Sequence, residues 1–136
     1  MLKDAGFPVT CRVTVNRYNV CDLHNIARLL LEDIALNSIS TNDAMPVGAG
    51  CDNRFSITLL PDQQQKAMKV LADLAKRYNG RVTGMAGPLA KWRMYHEMER
   101  ARATGETTDR WKMGYLTACG CVYGKLAVHH DGVISP

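Results

Sequence analysis

Between Val9 and Asn16 the chain reads VTCRVTVN, so that Val9, Cys11, Val13 and Val15 alternate strictly with Thr10, Arg12, Thr14 and Asn16. Successive side chains of a strand point to opposite faces, and this period of two demands a strand with one apolar and one polar face. A different period follows at once. Leu23, Ile26, Ala27, Leu30 and Leu31 recur at the spacing of a helical stripe, with Asn19 as the expected N-cap and Asp22 three residues on as an analogue of the capping box. A strand feeding an amphipathic helix is a βα unit, and the expected fold class is α/β. In a (β/α) barrel the apolar face would meet the helices, leaving Arg12, Thr14 and Asn16 to point inward at a ligand. An antiparallel strand with one wet face produces the same alternation, and periodicity does not separate the two.

Leu36 to Thr41 reads as a second, weaker strand running into a loop from Asn42 to Gly50. Loops after parallel strands are where barrel enzymes bind ligands, and Gly48 and Gly50 would let backbone approach one closely. Phe55 to Leu59 reads as a short strand. Pro61 then opens a helix whose stripe is Met68, Leu71, Leu74, Ala75 and Tyr78, ended by Asn79-Gly80. Arg81 to Met85 is a brief strand candidate. Leu89 to Ala103 is a further helix, with Leu89, Trp92, Tyr95 or His96, and Met98 facing inward. At helical spacing these are core residues, and His96, with no second ligand nearby in sequence, belongs on the helix surface. Ahead of all this, Met1 to Gly6 reads as the last turn of a helix closed by a glycine, with Pro8 barring its continuation, as though the fold began inside a larger one.

With 136 residues, 46% of them hydrophobic, the chain can bury a core of its own. No run of about 18 apolar residues and no N-terminal apolar segment occur, which points to the cytoplasm without a membrane span or secretory signal. Five cysteines, an odd number, argue for reduced thiols or metal ligation over a disulfide framework. The net charge of +4 is mild and does not call for a nucleic-acid partner.

The strongest chemical pattern is LTACGCVYGKLAVHHDGVISP, from Leu116 to Pro136. Cys119 and Cys121 stand one residue apart, and an apolar strand from Lys125 to His129 meets Val133-Ile134 across His130-Asp131-Gly132. Asp-Gly suits a type I′ hairpin turn, and a hairpin this small gains from a metal or cluster at its mouth. Two buried thiols of no special role are the alternative, as free cysteine packs like a small hydrophobe. His129 and His130, adjacent in a strand, face opposite ways and are poorly placed to share one metal.

This cysteine, hairpin and Asp-Gly pattern resembles the opening of the SPASM/twitch auxiliary iron–sulfur region of radical SAM enzymes. The earlier order of strand, capped helix, strand and Met-Pro-x-Gly loop is similar to the fifth and sixth βα units of their barrels. The resemblance implies a fragment of a partial (β/α) barrel at 1–60, a helical connection at 61–110 and a truncated hairpin at 111–136. It implies that Arg12 contacts the carboxylate of S-adenosylmethionine and that Met45, Pro46, Val47 and Gly48 meet its adenine; Thr14 and Asn16 are inward neighbours by strand alternation, with no role carried over from the family. It also implies Cys119 or Cys121 as a cluster ligand, the spacing fitting both, with the next ligand expected just past Pro136. The family's C-x3-C-x2-C motif and its Gly-Gly-Glu motif are absent from the chain. S-adenosylmethionine and 4Fe–4S clusters are therefore expected in an intact parent acting on a small molecule or peptide, and neither cofactor in this chain, which alone would not be catalytic. Such a piece, with an unpaired edge on its first strand, is expected to self-associate. The alternative is a self-contained α/β binding domain, with zinc on Cys119 and Cys121.

Overall fold

The computed structural model describes residues 4–105 and 127–135. They fall into a unit ending at Glu99 and a second starting at Arg100. Strand β1 (Thr10–Val15) is followed by helix α1 (Leu23–Arg28), a π-helical turn (Leu29–Asp33) and strand β2 (Ser38–Asp43). After a 3-10 turn (Gly48–Gly50) come helices α2 (Arg54–Ile57) and α3 (Pro61–Arg77), strand β3 (Val82–Thr83) and helix α4 (Gly87–Thr104). The three strands form one parallel sheet in the order β1-β2-β3. The α/β class holds, and the parallel pairing removes the antiparallel alternative for β1.

Alternation in β1 does what its period requires. Val15 is fully buried and joins Ile39 of β2 and Val82 of β3 in a core with Leu23, Ala27 and Leu31 from the first helical segment and Ala67, Leu71, Ala72 and Leu74 from α3. Each valine, leucine or isoleucine among them contributes about 1.5–3 kcal/mol by leaving water. Pro61 opens α3 at N1, where its missing N–H is no loss, and the Gln63 side chain accepts from the Leu60 N–H at 3.0 Å. The helix ends at Asn79 and Gly80, both at positive φ, where the Gly80 N–H reaches the Ala75 carbonyl.

The entry to α1 differs from the sequence expectation. Asn19 does not cap it; the N-cap is Asp22 and the helix starts at Leu23. Asn19 instead folds the preceding turn, its Oδ1 accepting from the Asn16 N–H at 2.8 Å and its Nδ2 donating to the Thr14 carbonyl at 3.0 Å. Short amide side chains compete for nearby backbone groups in this way, and here the turn wins over the helix. At the far end the Ile34 N–H bonds Leu29, five residues back, and Leu36 bonds Leu30, with Ala35 at φ 55°. Arg81 closes this end: its guanidinium donates to the carbonyls of Leu31, Leu36 and Asn37. Tyr78 donates to Glu32 at 2.6 Å, and that hydrogen bond, followed by desolvation and the carboxylate's charge, raises the phenol above 10.

Two more expectations are corrected. Residues Phe55 to Leu59 form no strand; Arg54–Ile57 is a short helix, with the Ser56 and Ile57 N–H groups turned back onto the Asn53 carbonyl. Tyr95 on α4 faces water at 58% exposure, whereas Leu89 is fully buried and Trp92 half-buried. His96 is on the surface as expected, 4.2 Å from the Trp92 ring.

In the second unit, β4 (Ala127–Val128) and β5 (Ile134–Ser135) pair antiparallel, with Val128 opposite Ile134. The hairpin is where the sequence placed it, but its turn is not type I′, which needs two residues at positive φ. Only Gly132 has one, at 82°. The His129 N–H bonds the Val133 carbonyl and the Gly132 N–H bonds the His129 carbonyl, which makes a three-residue loop with the glycine in the left-handed position. Asp131 contributes by accepting from the Val133 N–H at 3.1 Å.

Candidate functional site

The register of the sheet decides which side chains share a face. Thr10 lies beside Ser38, Arg12 beside Ser40 and Thr14 beside Asn42, and Ser40 lies beside Thr83. The face turned away from the helices is therefore polar on all three strands: Thr10, Arg12 and Thr14 are exposed, and Ser38, Ser40, Asn42 and Thr83 half-buried. Parallel sheets usually carry apolar side chains on both faces because both are covered. Here one face packs on α1 and α3 and the other is a hydroxyl-rich surface around one guanidinium. The Thr10 and Ser38 hydroxyls are 2.8 Å apart. Among the described residues Arg12 has no ion pair, and no carboxylate occupies any of the seven positions on its face. Its five donors stand ready for an anion, for which a carboxylate gives the bidentate match.

Thr14 lies on this face with Arg12; Asn16 does not contribute a free amide. Its Nδ2 donates to Thr14 at 3.2 Å and its Oδ1 accepts from the Tyr18 N–H at 2.9 Å, so both ends of the side chain hold the turn. Beside Thr14, the Asn42 Oδ1 is buried and finds no partner among the described residues. An acceptor in that state carries a desolvation cost of about 1–3 kcal/mol that a donor would relieve.

Met45, Pro46, Val47 and Gly48 follow the C-terminal end of β2, all exposed. Met45 and Val47 present apolar side chains at 61% and 68% exposure, a surface of the right character for a flat heterocycle. Gly48 is at φ 56°. Gly50 has a local reason for being glycine: a Cβ there would lie 2.9 Å from the Met45 carbonyl oxygen, so loop closure and not ligand approach accounts for it. The same strand end carries Asp43, which points to the helix side and pairs with Lys91 of α4 at 3.3 Å. The helical pattern puts Lys91 in water, as found, but not its pairing with Asp43, and the polar residues of β2 were missed because only the register shows which residues sit beside Arg12.

Cys119 and Cys121 lie outside the described residues. Cys11, Cys21 and Cys51 are free thiols, and among the described residues no group of three His, Cys, Asp or Glu side chains is placed to hold a metal. Nor is any described helix long and apolar enough to cross a membrane. No family model, curated protein or solved structure matches the chain.

Proposed function

We propose that this chain is part of a partial (β/α) barrel of the radical SAM/SPASM type and that it contributes a binding surface for S-adenosylmethionine, without carrying out chemistry alone. The observation that supports this reading is the polar face of a parallel sheet whose other face is packed on helices, with Arg12 among hydroxyls and, among the described residues, no ion pair or competing carboxylate. A barrel lumen has that character, since its inward side chains meet a ligand instead of a second layer of helices. The Arg12 guanidinium takes the ligand's carboxylate, Thr14 and Ser40 flank it with hydroxyls, and Met45 to Gly48 cover the adenine. S-adenosylmethionine supplies the sulfonium whose cleavage defines the family, and this chain's part is to bind and orient it. The three-thiolate motif that such cleavage needs is absent from the sequence, so no step is assigned to the chain through a cluster.

Titration calorimetry with S-adenosylmethionine tests the reading, comparing the native chain with Arg12→Ala. Contrary to the sequence expectation that this chain alone holds no cofactor, the open polar face leads us to expect saturable binding that weakens at least about tenfold in the variant, the loss of one charge-assisted bidentate contact. Absence of binding, or binding indifferent to Arg12, would overturn it. Metal analysis separates the alternative: stoichiometric zinc that disappears in a Cys119→Ser, Cys121→Ser double variant would favour a self-contained zinc-binding domain.

A further inference from the structure

β1 is an edge strand: among the described residues its only neighbour is β2. The hydrogen bonds at its ends reveal which backbone groups face outward. The Val15 carbonyl accepts from the Ala44 N–H just past β2, and the Val9 N–H donates to the Asn37 side chain just before it. Odd-numbered residues of the strand thus turn their N–H and C=O toward β2, and Pro8, Thr10, Arg12 and Thr14 turn theirs outward. Of these, the Thr14 carbonyl is already satisfied by the Asn16 and Asn19 side-chain amides, at 3.2 and 3.0 Å. Pro8 has no N–H to give. Among the described residues Thr10 and Arg12 keep both groups open, the Arg12 carbonyl meeting only the Cys11 thiol at 4.0 Å.

We infer that this edge is built to pair with a second copy of itself, antiparallel, about a two-fold axis through Cys11. In that register Thr10 of one copy lies opposite Arg12 of the other and exchanges both backbone hydrogen bonds with it, and symmetry repeats the pair across the axis. Pro8 falls opposite Thr14: the residue without a donor meets the carbonyl that needs none, while the Thr14 N–H takes the Pro8 carbonyl. An axis perpendicular to the sheet keeps helix-side residues together, placing Val9 against Val13 and Cys11 against Cys11. The neighbouring registers fit worse. Centring on Arg12 sets two guanidinium groups face to face, and centring on Val13 aims the Arg12 N–H at the capped Thr14 carbonyl. Apart from Arg12 no charged residue and no proline interrupts Thr10 to Val15, and β3, at two residues, is too short to offer a second such edge. The inference is independent of the ligand reading, because it uses backbone groups and the helix-side face.

Cys11 reports the register. In a non-hydrogen-bonded antiparallel pair the Cα atoms are about 4.5 Å apart. That lies within disulfide range. The test uses the 136-residue chain with Cys21, Cys51, Cys119 and Cys121 changed to serine. Diamide takes two electrons and two protons from a pair of thiols, becoming the hydrazine as the S–S bond forms. Cys11 should give a covalent dimer at least about tenfold faster than a Cys11→Ser, Val13→Cys chain in the same background. Sedimentation of the unoxidised chain should show a concentration-dependent dimer. Thr10→Pro removes an N–H that bonds none of the described residues, so it should weaken the dimer about tenfold or more while circular dichroism stays native. A monomer throughout the concentration range, faster cross-linking at position 13, or a Thr10→Pro chain that dimerises like the parent would each overturn the inference.

Discussion

Gly87 and Gly80 share a backbone conformation and differ in surroundings, and that difference can be measured. Their φ angles are 77° and 78°. A Cβ on Gly80 would meet nothing within 4 Å, whereas one on Gly87 would lie 2.6 Å from the Asp43 nitrogen and 2.8 Å from the Asn42 carbonyl carbon. Gly80→Ala therefore isolates the conformational penalty of an L-residue in the left-handed region, about 1–2 kcal/mol. Gly87→Ala adds an overlap with backbone that no rotamer relieves, so the start of α4 must move off the end of β2 at a further cost of about 1–3 kcal/mol. Its total should be about 2–5 kcal/mol. Urea unfolding followed by far-ultraviolet circular dichroism gives both values, provided the slope is unchanged. Equal losses in the two variants would refute the reasoning, because they would mean that the packing of α4 on Asn42 and Asp43 yields freely.

Arg81→Met should destabilise the chain by about 3 kcal/mol in the same assay, since three carbonyls at the end of the first helical segment lose their donor, and Arg81→Lys should recover only part of it. Ala35→Gly should stabilise by about 0.5–1 kcal/mol, relieving an L-residue held at φ 55°. Tyr78 should ionise above 10, seen as the difference in ultraviolet titration between the native chain and Tyr78→Phe. Because its folded value is the raised one, the stabilisation from its bond to Glu32 is complete below the unfolded value and fades as pH rises through the folded one.

The sequence announced elements whose signal is local and hid those decided by competition or by register. Strict alternation located β1, proline at N1 and the Asn79-Gly80 stop bounded α3, and Asp-Gly marked the hairpin. Asn19 misled because an amide able to cap a helix can equally bond backbone within the preceding turn. Phe55, Ile57 and Leu59 alternate like a strand, yet among the described residues no strand pairs with them, and the Asn53 carbonyl gathers the segment into a helical turn. The polar face was half legible: Arg12 and Thr14 stand out in β1, but Ser40 and Thr83 become their neighbours only through pairings that span tens of residues of chain. The unpartnered Asn42 oxygen and the contact of Gly87 with β2 have no sequence signature, being products of packing between distant segments.

The π-helical turn at Leu29–Asp33 ends the segment that α1 begins and spends one residue more on its turn than the α-helical ladder before it. It thus behaves as a stored insertion. Losing one residue there would let the ladder close at its ordinary period while Leu23 and Ala27 kept their places against the sheet. Elsewhere in α1 or α3 the same loss would rotate every following side chain by about 100° and turn the apolar stripe to water. Length variation within this part of the chain therefore has a place inside a helical segment where it can be absorbed without disturbing the order of the strands, and it lies between β1 and β2, on the connection that sets Arg12 beside Ser40.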